Sequence, residues 1–273
     1  MTSEPVSRFS KPAEPSRQGV ATDFDLSSRQ WSKGNRSRKA KSEGTRRMTL
    51  SSPKTFDLVI FDCDGVLIDS QAIQNRVDAA ELSRLGFEAT ADDLAHRFLG
   101  MTTKDVQAYV ERALGRPLPE DFEAARDRLV EAAYRTELRA MAGIADLLAE
   151  FELPFCVASN ARLAPLQQVL NLTGLLSFFE PHVFGVDLVA RPKPAPDLFL
   201  HAAAQMGVDP SRCLVIEDSE TGVRAAKAAG MPVLGFHGGG HCYPGYEARL
   251  TEAGAFATFK RMTELPTFLR LSA

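Results

Sequence analysis

The chain of 273 residues has little cysteine, a single tryptophan and no long apolar run. Its apolar stretches, such as Leu153-Pro-Phe-Cys-Val-Ala158, fall far short of the roughly 20 residues that span a bilayer. An N-terminal apolar core of the kind secretory signals carry is also missing. The four cysteines (Cys63, Cys156, Cys213, Cys242) include no Cys-x-x-Cys pair, and three lie in or beside apolar runs, where cysteine acts as a small hydrophobe. A reducing, cytoplasmic location without disulfides is the expectation. A net charge of −3 makes no case for nucleic acid or a membrane surface as partner. The charge is unevenly spread. Residues 1–54 hold 12 Lys+Arg and 5 Asp+Glu, net +7, which leaves −10 for the rest.

Residues 1–54 are rich in Ser, Pro, Lys and Arg and too poor in apolar residues to offset their ordering entropy. They read as a disordered basic extension, with Met48 an alternative start. From Phe56 onward, short β-rich runs alternate with helical stretches. Strands are expected at 57–61, 155–158, 182–184, 213–217, 233–236 and 255–258, with helices at 143–151, 163–172, 196–206 and 221–229. Strands that are near-continuous apolar runs, separated by single helices, imply a parallel sheet covered on both faces. Between the first strand and residue 143, apolar positions such as Val77, Leu82, Leu85, Val106 and Val110 follow helical spacing with no convincing strand. The expected organisation is an α/β core over 55–70 and 141–273, with a helical domain, 71–140, inserted after the first strand.

In open parallel sheets, ligands bind beyond the carboxyl ends of the strands. The first strand ends in Asp62-Cys-Asp-Gly65, whose period-2 alternation sends Asp62 and Asp64 one way and Cys63 the other. Two such carboxylates can divide work, one attacking or binding metal and the other handling a proton. The second strand ends in Ser159-Asn160, able to donate to a phosphoryl oxygen or to cap a helix. After the third comes Arg191-Pro-Lys-Pro-Ala-Pro-Asp197, whose prolines present Lys193 as a point charge for phosphate. The fourth ends in Glu217-Asp218-Ser219, and acids at a buried strand end need a cation or a partner. Magnesium, which prefers oxygen ligands and keeps several waters, suits Asp62, the Asp64 carbonyl and Asp218, with Glu217 holding a metal-bound water.

These four segments, in this order, resemble the signature motifs of the haloacid dehalogenase superfamily, and the resemblance runs from about Phe56 to the C-terminus. The helical insertion is similar to the cap of the branch that contains phosphoglycolate phosphatases, β-phosphoglucomutases and sugar-phosphate phosphatases. The resemblance implies a Rossmann-like core and a Mg²⁺-dependent phosphatase acting on a small phosphorylated metabolite, such as a sugar or polyol phosphate. It makes Asp62 the nucleophile, Asp64 the acid and base, Ser159 and Lys193 phosphoryl ligands, and Asp218 the metal anchor. Dehalogenases lack an acid at the Asp64 position. The mutases carry a His where this chain has Gln74, and a basic cap residue near Thr103 that is missing here. Phosphomutation and a non-catalytic metabolite-binding domain are the competing functions. Arg76, His96, Arg97 and Lys104 are candidate cap contacts to substrate, although each also suits a solvated helix face, and Gly100 is a candidate hinge. The segment His237-Gly-Gly-Gly-His-Cys242 reads as a mobile glycine loop at the cleft rim rather than a zinc site. A monomer is expected.

Overall fold

The computed structural model describes residues 56–98 and 103–270, with the backbone alone for Arg97, Thr103, Lys104 and Arg270. The expected basic extension and the Gly100 hinge lie outside the described residues. Six strands, β1 (Leu58–Phe61), β2 (Phe155–Ala158), β3 (Val183–Phe184), β4 (Cys213–Glu217), β5 (Val233–Phe236) and β6 (Ala257–Phe259), form one sheet in the order β3-β2-β1-β4-β5-β6. Every pairing is parallel. Successive residues of one strand enter opposite apolar layers. Val59 and Phe61 of β1, Val157 of β2 and Leu214 and Ile216 of β4 join one cluster, whereas Leu58, Ile60, Cys156, Cys213 and Val215 join the other. Both faces are therefore dry, which is why the strands lack polar alternation.

Eleven helices are described: α1 (Gln71–Arg84), α2 (Ala91–Arg97), α3 (Thr103–Leu114), α4 (Phe122–Glu137), α5 (Ile144–Ala149), α6 (Leu163–Leu172), α7 (Leu176–Phe179), α8 (Asp197–Met206), α9 (Glu220–Ala228), α10 (Tyr246–Ala253) and α11 (Leu265–Arg270). None is long and apolar enough to cross a membrane. The helix expected at 143–151 is shorter because Gly143, at φ +80°, stands outside it as the N-cap. Three helices were not anticipated: α7, α10 and α11. The sixth strand is shifted towards the C-terminus, because Gly254 ends α10 and Ala255 still donates back to Leu250.

Helices α1 to α4 stand between β1 and β2 in the chain and pack on a separate apolar cluster of Leu82, Phe87, Leu94, Phe98 and Val110. Thr90 starts α2 with a capping box, its side chain accepting from the Asp93 N–H while the Asp93 carboxylate accepts from that of Thr90. The chain leaves and re-enters the sheet side by side: the Asp69 N–H donates to the Arg139 carbonyl (3.2 Å) and the Met141 N–H to the Leu67 carbonyl (2.8 Å). Strand order reverses at the neighbours β1 and β4, so a crevice opens beyond their carboxyl ends.

Candidate active site

Asp62 extends the β1–β4 ladder by donating its N–H to the Ile216 carbonyl at 2.9 Å, and is 7% exposed. The next residues turn sharply. The Cys63 carbonyl accepts from Leu67 (2.8 Å) and Ile68 (3.1 Å), a bend that needs Gly65 at φ +77°. Cys63 goes into the core, and Asp64 accepts a 2.6 Å hydrogen bond from the Ser70 hydroxyl.

Lys193 reaches this point from the loop before α8. Its Nζ donates to Asp62 Oδ1 (2.6 Å), Glu217 Oε1 (2.6 Å) and the Ala158 carbonyl (2.9 Å), and lies 4.5 Å from the Phe199 ring centroid. All three ammonium donors are used. Asn160, a candidate phosphoryl ligand, also holds this loop. Its Oδ1 accepts from the Lys193 N–H (2.9 Å) and its Nδ2 donates to the Lys193 carbonyl (3.3 Å). The Asn amide matches the backbone peptide it pairs with, so both of its ends are engaged. Ser159 is buried, with Oγ accepting from the Ala161 N–H (3.1 Å) and its hydroxyl proton free to donate.

The β4 end supplies Glu217 and Asp218, both buried. Glu217 Oε2 accepts from the Ser219 N–H (3.2 Å) and hydroxyl (2.9 Å), while Oε1 takes Lys193. Both oxygens are held by the protein, so Glu217 braces Lys193. Asp218 Oδ2 lies 3.2 Å from His241 Nε2, and its carbonyl accepts from the Tyr246 hydroxyl (3.0 Å). The turn towards Asp218 distinguishes His241 from the other residues of the glycine loop. The loop is also anchored: Gly240 N–H donates to Asp69 Oδ1 (2.9 Å) and Tyr243 packs against His96 of α2 at 4.5 Å between ring centroids. The sequence marked the segment by its glycines, but only the position of β5 beside β4 brings His241 to the acids.

The charge balance is lopsided. Burial pushes the Asp62 carboxyl well up; Lys193 pulls it down, and Glu217, Asp218 and Asp64 push it up again. Asp64 is raised by burial against the opposing Ser70 hydrogen bond, and Asp218 by burial against His241. Burial works against the Lys193 ammonium, but Asp62 and Glu217 overcome it and hold its pKa above the ordinary lysine value. For His241, burial is outweighed by the hydrogen bonds to Asp218 and Cys242, which carry it up to about 10. Four carboxyls thus face two cations. Asp62, Glu217 and Asp218 offer oxygens within 4.8 Å of one another, the one such group of three metal-ligand types among the described residues. Asp62 Oδ2 and Asp218 Oδ1 have no protein partner among those residues. An all-oxygen, anionic set with two free oxygens fits a hard divalent cation such as magnesium.

Beside this centre a cleft of about 720 Å³ opens among α1 to α4, with His241 at its edge. Its polar lining includes Gln74, Asn75, Gln107, Asp78 and Arg126. Arg126 is bound to both oxygens of Asp78 (2.6 and 3.1 Å) and to Gln74 (3.3 Å). Of the candidate cap contacts, Arg76 is exposed and paired with Glu137, outside the cleft lining. The side chains of Arg97 and Lys104 lie outside what is described.

Residues 56–230 match the family model of haloacid dehalogenase-like hydrolases. The chain belongs to this family. It is 30% identical over 212 residues to the 6-phosphogluconate phosphatase of Escherichia coli (strain K12), covering 77% of this chain and 93% of that one. A haloacid dehalogenase-like protein of unknown function from Agrobacterium tumefaciens has 40% identity and a TM-score of 0.74, over 79% of this chain and 98% of that one. A HAD family hydrolase from Deinococcus radiodurans, solved with bound phosphate and sodium, has 33% identity and a TM-score of 0.71, over 80% and 97%. The span matched to the hydrolase family ends before β5, so it leaves out the loop that carries His241.

Proposed function

We propose that this hydrolase is a magnesium-dependent phosphatase that cleaves a small sugar or polyol phosphate through an aspartyl-phosphate on Asp62. The observation that carries this reading is the three-way clasp of Lys193 on Asp62, Glu217 and the Ala158 carbonyl, which holds a nucleophile's carboxylate beside a fixed cation in a dry crevice. Asp62 attacks phosphorus, and the bond to the leaving oxygen breaks as Asp64 gives that oxygen a proton. Asp64 suits the task because burial raises its pKa above the ordinary carboxylate value. It then takes a proton from water, whose oxygen attacks phosphorus and releases Asp62. Lys193 and the Ser159 hydroxyl stabilise the phosphoryl oxygens, and Asn160 keeps the Lys193 loop in place. Asp62, the Asp64 carbonyl and Asp218 would hold magnesium, which supplies positive charge against the phosphoryl group.

The insertion, taken as a cap over 71–140, closes on the leaving group. A cleft of about 720 Å³ with the amides of Gln74, Asn75 and Gln107 in its wall suits the hydroxyls of a polyol or sugar. Gln74 has no titratable proton and donates to the Tyr134 hydroxyl (2.6 Å), which favours release to water over return to a sugar. The test is phosphate release from a panel of sugar, polyol and glycolate phosphates with Mg²⁺. Asp62→Asn and chelation should each abolish release, with added Mg²⁺ restoring only the chelated enzyme. Undiminished turnover by Asp62→Asn would sink the nucleophile assignment. Isomerisation of a hexose 1-phosphate without release would replace hydrolysis with phosphomutation.

A further inference from the structure

The loop between β5 and α10 makes contacts that a surface connection does not need. His241 is nearly buried, its side chain 8% exposed, and its ring sits edge-on to Tyr246 at 5.5 Å. Two glycines leave room for it. A Cβ on Gly65 would lie 2.9 Å from His241 Cε1 and 1.8 Å from Asp218 Oδ2, and one on Gly239 would lie 2.8 Å from Cε1 and 2.9 Å from Nδ1. No larger residue fits either position without moving the ring. Nδ1 is buried without a hydrogen-bond partner among the described residues, so the ring is held through Nε2, 3.2 Å from Asp218 Oδ2 and 3.4 Å from Cys242 Sγ, at the expense of its other nitrogen.

A carboxylate at a strand end can turn about two single bonds, and a ligand that turns freely loses entropy when a metal stops it. Asp218 is anchored twice: Tyr246 holds its carbonyl and His241 its Oδ2, which leaves Oδ1 without a partner among the described residues. We propose that His241 is a positioning residue that orients the Asp218 carboxylate for a divalent cation shared with Asp62. The inference rests on the metal site of the proposed phosphatase. It needs only an Nε2–H, which imidazole and imidazolium can both present. The loop's tie to Asp69 and the stacking of Tyr243 on His96 keep the ring in place from the side of the helical insertion.

The test is Mn²⁺ binding to the full chain, read by electron paramagnetic resonance of free Mn²⁺, with the Mg²⁺ activation constant and the substrate KM alongside. Partners that orient metal ligands are worth about 10–100-fold in affinity. His241→Ala should weaken Mn²⁺ binding at least about tenfold and raise the Mg²⁺ activation constant in step, with substrate KM at saturating Mg²⁺ changing less than either. His241→Gln, whose amide nitrogen reaches the place of Nε2, should restore binding, whereas His241→Asn, with its donor drawn back, should not. Wild-type affinity in a folded His241→Ala protein overturns the proposal. If that variant does not fold, equal affinities in the Gln and Asn variants overturn it. A wild-type chain that binds no Mn²⁺ overturns the metal site itself and this inference with it.

Discussion

Gly222 lies in the first turn of α9, and its α-carbon passes so close to Glu217 that a Cβ would lie 1.8 Å from Glu217 Oε1 and 1.9 Å from Cδ. Glycine inside a helix ordinarily costs about 1 kcal/mol relative to alanine, so Gly222→Ala would be stabilising if propensity decided. Here the contact decides. The methyl must push Glu217 away from Lys193 and Ser219, which leaves a buried ammonium with one carboxylate fewer. Gly222→Ala should therefore lower the melting temperature and cut phosphate release at least about tenfold, the size of one misplaced electrostatic group; an unchanged Tm would show that the helix start can move aside. At this scale the sequence was most informative where residue type and strand end coincide, as for Asp62, Lys193 and Asp218. It says less where a side chain has two uses: Asn160 is by type a candidate phosphate ligand, and its amide is also complementary to a peptide unit, that of Lys193.

Between elements, α1 and α4 are joined by polar side chains rather than by apolar packing alone. Arg126 on α4 clasps Asp78 on α1, Gln74 donates to Tyr134, and Arg76 pairs with Glu137. Arg126 is three-quarters buried, with 25% of its side chain exposed, and has its pKa raised: burial opposes its charge, but the Asp78 hydrogen bond and charge outweigh it. Removing Arg126 leaves Asp78 without its partner, and removing Asp78 leaves Arg126 with only Gln74 and the exposed Asp127, so Arg126→Ala and Asp78→Ala should each cost about 1–3 kcal/mol. The double substitution should cost less than their sum by about 0.5–3 kcal/mol, the range for residues in direct contact. Denaturant unfolding of the four proteins measures this; strict additivity would mean the pair contributes nothing. Element types were readable where a pattern ran for a full helix, as in α6 and α8. The four-residue α7 and six-residue α11 are too short to show a period. α10 begins after Gly245 at φ +92°, immediately behind a glycine-rich loop, where no apolar repeat precedes it.

For the molecule as a whole, the crevice gathers Asp62, Asp64, Glu217 and Asp218 against Lys193 and His241, and this excess of acid ties stability to pH. Burial raises the Asp64 pKa in the folded state, so the fold holds that proton more tightly than the unfolded chain does. The stability from this group is fully present below the ordinary carboxylate value of 3.8 and is lost as pH climbs through the raised value. Above that point the folded protein carries a half-buried charge that the unfolded chain would hydrate more fully. Asp64→Asn keeps an acceptor for the Ser70 hydroxyl and removes the charge. In metal-free protein at pH 8 it should raise the melting temperature by about 2–4 °C, which is what 1 kcal/mol amounts to in a domain of this size. The gain should shrink as pH falls towards the ordinary carboxylate value, where wild-type Asp64 is itself neutral. The same substitution should abolish phosphate release, because it removes the proton that leaves with the alcohol. Calorimetric scans of both proteins at pH 5 and pH 8 without metal decide the matter: an Asn variant less stable than wild type at pH 8 would mean the Asp64 charge is welcome in the fold, through Lys193, and that catalysis here does not oppose stability.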